Sequence, residues 1–181
     1  MTIDQSLLID GVPKDKESAI ALANRKDDKT RKEFEKWAVL TYSDNQARIN
    51  EKKGADDGVD GISYFMIDKA NDTITSGKVI YQVKSGLAQR GTIDSLRGVM
   101  ENEEAEIGIL LTMERPTAPM VKTAQKAGKF KHPLLNKEYD RIQIISVDEL
   151  LGGSRMELPL AREMVKAAEA LGDGDAQQRL I

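Results

Sequence analysis

The sequence predicts an α/β domain in which a mixed β-sheet is covered by helices on both faces. Three observations carry this. Amphipathic segments with helical spacing alternate with short β-rich runs along the 181 residues. The run EIGILLT at 106–112 is almost continuously apolar, as a strand buried on both faces should be. Ahead of it, two β-rich runs at 61–68 and 78–84 flank a polar stretch with Asn-Asp and Ser-Gly punctuation, the pattern of an antiparallel pair.

In chain order, DKESAIALANR (15–25) reads as a short helix, and TRKEFEKWAVLTY (30–42) as a stronger one. Thr30 is expected to cap it, and Phe34, Trp37, Ala38 and Tyr42 fall near the three-to-four spacing of one buried face. ARINEKK (47–53) reads as a strand, followed by GISYFMID (61–68), a connection over 69–77, and KVIYQVK (78–84), giving a three-stranded meander. TIDSLRGVMENEE (92–104) and TAPMVKTAQKAG (117–128) are predicted helices, and RIQIIS (141–146) is a further strand. In SVDELLGG (146–153), the Ser-x-x-Glu pattern opens a short helix and the glycines stop it. The predicted division is an N-terminal extension with a short helix (1–28), the α/β domain (29–153) and a C-terminal helical tail (154–181).

Composition excludes several classes. A chain of this length buries roughly 70% of its unfolded surface, enough for one real core. Its 40% hydrophobic and 31% charged residues are ordinary for a globular protein, and no apolar run approaches the ~18 residues of a membrane span. No cysteine is present, so disulfides and thiolate metal sites are excluded. The first residues lack a basic, apolar signal-peptide pattern, and a cytoplasmic location is expected. The net charge of −3 argues against a generally basic nucleic-acid binder, but the charge is uneven. Between 118 and 141, Lys122, Lys126, Lys129, Lys131, Lys137 and Arg141 face only Glu138 and Asp140. Arg25, Lys26, Lys29, Arg31 and Lys32 form a second cluster. A solvated helix face accounts for either cluster alone; a nearby site would give them a function.

KKGADDGVDGISYF (52–65) and VIYQVKSG (79–86) place acidic residues at the mouth of one strand and a lysine at the end of the next. Asp56 and Asp57 read as turn formers. Asp60, with Gln82, Val83 and Lys84, resembles the PD-(D/E)xK nuclease motif in its Mrr-type restriction endonuclease form, and Phe34-Glu35 resembles the Phe-Glu often found on the preceding helix. The segments GVPKDKESAIALA, FEKWAVL, LRGVMENEEAEIGILLTMERPTAPM and RIQIISVDELLGG resemble the C-terminal region of bacterial and phage DNA methyltransferases of the adenine-N6 or cytosine-N4 type. That likeness covers roughly residues 10–160, yet no methyltransferase motif or Gly-rich cofactor loop is present.

The resemblance implies a restriction endonuclease-like core and a Mg²⁺-dependent (or Mn²⁺-dependent) DNA endonuclease of a restriction-modification type system. Asp60, Gln82, the Val83 carbonyl and Glu35 would hold the ion, and Lys84 would orient the attacking water. Residues two apart on a strand share a face, so Gln82 and Lys84 point together. Gln82 stands where an acidic ligand is usual; its amide oxygen is neutral, so the site loses a charge. The alternative is a catalytically weak or inactive nuclease-fold module that docks DNA or a methyltransferase. DNA contacts are expected from Arg90, Arg97, Lys122 and Lys126, with Gln89 beside them, and Gly58 and Gly61 would let a phosphate approach the backbone. DNA is the expected partner, with a DNA methyltransferase and a second copy as further candidates and no membrane. Phe34, Trp37 and Met100 are expected in the core, and His132 in a surface loop.

Overall fold

Asp15 begins the first helix: its carboxylate accepts the Ser18 amide at 2.7 Å, and the Ser18 hydroxyl accepts the Asp15 amide at 3.0 Å, a reciprocal capping box. The computed structural model describes residues 12–25, 28–50, 58–70, 73–155 and 157–158. Helix α1 spans Lys16–Ala23 and buries Ala19 and Ala23. Helix α2, Asp28–Tyr42, begins before the expected Thr30 cap, which lies inside it. Phe34, Ala38, Val39 and Tyr42 form its buried face. Trp37 sits half-buried beside them, its ring centroid 5.8 Å from that of Phe34.

Strands β1 (Arg48–Ile49), β2 (Gly61–Ala70) and β3 (Thr73–Lys84) form the expected antiparallel meander. Both long strands run further than expected: the polar stretch 69–77 pairs Lys69 with Ile74 and Ala70 with Thr73 rather than forming a loop. β-Branched Thr73, Ile74 and Thr75 favour the pleat, and an irregularity between Met66 and Asp68 absorbs a register shift. The remainder of the strand expected over 47–53 lies, beyond Asn50, outside the described residues, as do Asp56 and Asp57.

After β3 come α3 (Arg90–Asn102), β4 (Ile107–Thr112), α4 (Ala118–Gln125), β5 (Lys129–His132), β6 (Lys137–Asp140), β7 (Ile142–Ser146) and α5 (Val147–Leu151). The main sheet has the order β1-β2-β3-β4-β7, with β3, β4 and β7 parallel. Strand β4 is buried at every position, as its sequence requires. Alternation along β3 divides the core. Val79, Tyr81 and Val83 pack with α1, α2 and α5, whereas Ile80 packs with Ile93, Leu96 and Met100 of α3 and Met120 of α4. This is the mixed sheet with helices on both faces. Ser146 and Glu149 form the predicted capping box of α5.

The hairpin β5–β6 is an element that the sequence pattern does not announce; its residues read there as part of a basic patch. Asn136, with φ of 48°, lies in the left-handed conformation at the turn. His132 is fully buried, not in a surface loop. Its Nε2–H donates to the Met66 carbonyl at 2.7 Å and its Nδ1 accepts the Leu135 amide at 3.3 Å, fixing the hairpin to β2. Phe65 and Phe130 pack edge to face beside it, 5.3 Å between ring centroids. Among the described residues no helix is long and apolar enough to cross a membrane. The tail helix expected after Leu158 lies outside the described residues.

Candidate functional site

Asp60 stands one residue before β2, at the point where the strand leaves its partner. The turn ahead of it is held from both sides. The Asn50 side chain donates to the Val59 carbonyl at 3.0 Å, the Asn50 amide donates to the Asp60 carbonyl at 3.0 Å, and the Asp60 amide donates to the Tyr81 carbonyl at 2.8 Å. Asp60 Oδ2 then accepts the amide N–H of Val83 at 2.6 Å. The ladder between β2 and β3 begins at the pair Gly61 and Tyr81, so this carboxylate supplies the acceptor that a longer β2 would have given Val83. Asn50 carries no motif signal in the sequence, yet it positions the aspartate.

At Gly58 and Gly61 the missing side chain leaves room for close packing of neighbouring residues. Gly58 adopts φ of +81°, and a Cβ there would lie 2.6 Å from Gln82 Nε2; one at Gly61 would lie 2.7 Å from a Val39 methyl on α2. The turn thus closes over Gln82, which is 5% exposed and whose Oε1 has no hydrogen-bond partner among the described residues. Leaving such a buried acceptor unmatched costs roughly 1–3 kcal/mol. Gln82 and Lys84 fall on the Ile80 face of β3, Lys84 half-buried at its end.

Burial pushes the Asp60 carboxyl above the usual carboxylate range; the Val83 amide, then the Lys84 and Lys32 charges, act against it. Lys32, on α2, reads in the sequence only as part of a basic cluster, because nothing there shows which helical turn faces the strand mouth. Glu35 follows one turn later, half-buried, with Arg31 Nε 3.9 Å from its Oε1. Tyr81 points to the other face of the sheet, where its hydroxyl and that of Ser63 are 2.9 Å apart in the core.

The structure therefore joins Asp60, Gln82, Val83 and Lys84 at one strand end, with Lys32 close enough to act on Asp60. Val83 presents its amide to Asp60. No group of three acidic, histidine or cysteine side chains able to hold a metal ion occurs among the described residues. Mg²⁺ is held by carboxylates and surrounding oxygens in a near-octahedral shell. Among the described residues the strand end offers such an ion one carboxylate, already bonded to an amide, and one neutral amide oxygen, which is not a Mg²⁺ ligand set; residues 51–57 ahead of it lie outside the described residues. Arg90 and Arg97 lie on the exposed side of α3 in ion pairs with Asp94 at 3.7 Å and Glu101 at 3.3 Å. Lys122 and Lys126 are exposed on and just after α4.

The family described as NACHT-associated inactive Restriction Endonuclease 1 matches residues 31–152, from α2 through α5. Comparisons with curated proteins and with solved structures give no match. The family match supports the restriction endonuclease-like fold and overturns the expected Mg²⁺-dependent endonuclease of a restriction-modification system, because the family is described as inactive. At the position of Gln82 the neutral amide brings no charge, and among the described residues no group of three acidic, histidine or cysteine side chains stands with Asp60 to hold a metal ion. With about two thirds of its length matched, this chain belongs to the NACHT-associated inactive restriction endonuclease family.

Proposed function

We propose that the chain is a non-cleaving nucleic-acid-binding module, in which a PD-(D/E)xK, Mrr-type strand end has been turned from a metal site into a phosphate site. One observation carries the reading. The Asp60 carboxylate is committed to the Val83 amide, and among the described residues the charged side chains that act on it are two lysines, Lys84 and Lys32. Such a strand end attracts a phosphodiester but has no means of activating water against it. Lys122 and Lys126, exposed on and just after α4, offer further cations, whereas Arg90 and Arg97 are engaged with acidic neighbours on their own helix.

DNA is the partner this reading favours. The family name associates such modules with NACHT domains, and the sequence resemblance to methyltransferase C-terminal regions suggests a DNA-modifying enzyme as a further setting. In either setting the chain would contribute docking on nucleic acid rather than chemistry, and no metal would be required. A module that does not cut two strands has no need of a second copy.

Fluorescence anisotropy with a labelled oligonucleotide in EDTA tests this directly. The expected result is binding that weakens steeply between about 50 and 200 mM salt, with plasmid DNA left intact in Mg²⁺ or Mn²⁺. Absence of binding at the lower salt, or cleavage of the plasmid, overturns the proposal.

A further inference from the structure

Beyond the carboxyl ends of β3 and β4, next in sequence to Lys84, lies a cavity of about 280 Å³. Open α/β sheets bind ligands at this end of their parallel strands. Its apolar wall includes Ile20 of α1 with Met113 and Met120, and its rim carries Asn24, Ser85 and Thr117. The volume lies at the small end of ligand pockets, room for one heterocycle rather than a drug-sized molecule. The rim also carries Arg115 and Glu114, the latter paired with Lys16 at 2.9 Å, whereas the side chains of Asn24, Ser85 and Thr117 make no hydrogen bond among the described residues, and Thr117 does not cap α4 although it occupies the cap position. An apolar slot with unengaged donors and acceptors at its mouth suits a flat ligand whose edge is polar.

Leu87 stands at the same mouth, in the loop between β3 and α3, and is 81% exposed. An apolar side chain held out in water beside a phosphate-attracting strand end has the form of the wedges that nucleic-acid-binding proteins insert between bases. A base displaced from the stack needs a receiving pocket and hydrogen bonds to its edge. Both features adjoin Lys84.

We propose that the cavity at the ends of β3 and β4 receives a nucleobase displaced from the bound strand, with Leu87 as the wedge and Asn24, Ser85 and Thr117 reading the base edge. The inference rests on the phosphate-binding reading of Lys32 and Lys84 and adds the part of the ligand that enters the protein. Among the described residues no aromatic ring lines the cavity, so a fluorescent base entering it is not quenched by stacking.

The test uses the full chain with an oligonucleotide carrying 2-aminopurine and a terminal dye. Expected are a rise in anisotropy, reporting strand binding, and a several-fold rise in 2-aminopurine emission, reporting displacement of the base. Leu87→Ala should lose the emission rise and keep the salt dependence of binding. Gly86→Phe supplies a second variant: a Cβ at Gly86 meets nothing within 4 Å, so the ring can block the mouth without disturbing the fold. In parallel, free adenosine should shift the methyl resonances of Met113 and Met120. Anisotropy without an emission change or methyl shifts overturns the base pocket and leaves the phosphate reading standing. Methyl shifts with adenosine but no strand binding overturn the phosphate reading instead. If N-acetyl-phenylalanine amide shifts those methyls and adenosine does not, the cavity belongs to a protein partner's side chain and the proposal is overturned.

Discussion

The carboxylate of Asp60 accepts the amide proton of Val83 at 2.6 Å, taking the place of a strand residue at the end of the ladder between β2 and β3. Aspartate at the head of a nuclease-type motif thus has a backbone role that survives the loss of chemistry. Burial raises its pKa above the ordinary 3.8, so the folded state holds the proton more tightly than the unfolded chain. Stability contributed by Asp60 therefore falls as pH rises from 3.8 through the raised folded value, and above that value the group destabilises the fold. Asp60→Asn keeps an acceptor for Val83 and removes the charge. Its melting temperature should exceed that of the parent at neutral pH, and the difference should shrink as the pH falls into the acid range. Thermal melts from about pH 4 to about pH 8 check this, and a variant less stable at neutral pH would refute it.

Gln82→Glu returns a second carboxylate to the strand end. Without metal, two buried like charges should lower stability by roughly 2 kcal/mol or more, despite the nearby lysines. Calorimetric titration with Mn²⁺ should give a flat trace for the natural sequence and measurable heat for the variant, with part of the lost stability recovered on saturation. Heat of binding in the natural sequence would show that Gln82 and Asp60 suffice as they stand.

Neutralising Lys84 or Lys32 should weaken binding to all nucleic-acid sequences alike and lower the magnitude of the salt slope by about 1 for each phosphate that no longer meets a cation. Charge reversal at Lys122 and Lys126 should act in the same direction. Unchanged affinity and slope in the α4 variants would return that patch to a solvated helix face and confine the interface to the strand end.

His132→Ala removes both bonds that fix the β5–β6 hairpin and leaves a hole beside Phe65 and Phe130. A loss of about 3 kcal/mol is expected from the combined cavity and hydrogen-bond terms. Urea denaturation reads it as a lower midpoint at an unchanged slope.

The order of helices and strands is legible in the sequence because periodicity reports burial, and burial dictates the sheet: Glu106 to Thr112 could only be a central strand. Asp60, Gln82 and Lys84 are legible as neighbours because a strand alternates and a hairpin folds back on itself. Activity is not, since one amide in place of a carboxylate has a meaning only when the surrounding charges are known, and Lys32 reaches the site through helix packing that no local pattern encodes. The hairpin around His132 is hidden because Lys129, Lys131, Lys137 and Glu138 dominate its composition. The inward residues Phe130, His132 and Tyr139 carry the alternation, but they are few against that charge.

Strand β1 is two residues long and pairs only with Gly61 and Ile62, so the outer side of β2 from Ser63 onward has no strand neighbour among the described residues. An open edge of that length is a template for other chains. The Met66 carbonyl lies in this stretch, and His132 binds it. Opening the hairpin would therefore uncover sticky backbone, and self-association in concentrated solution should follow loosening at His132 well before the main sheet melts.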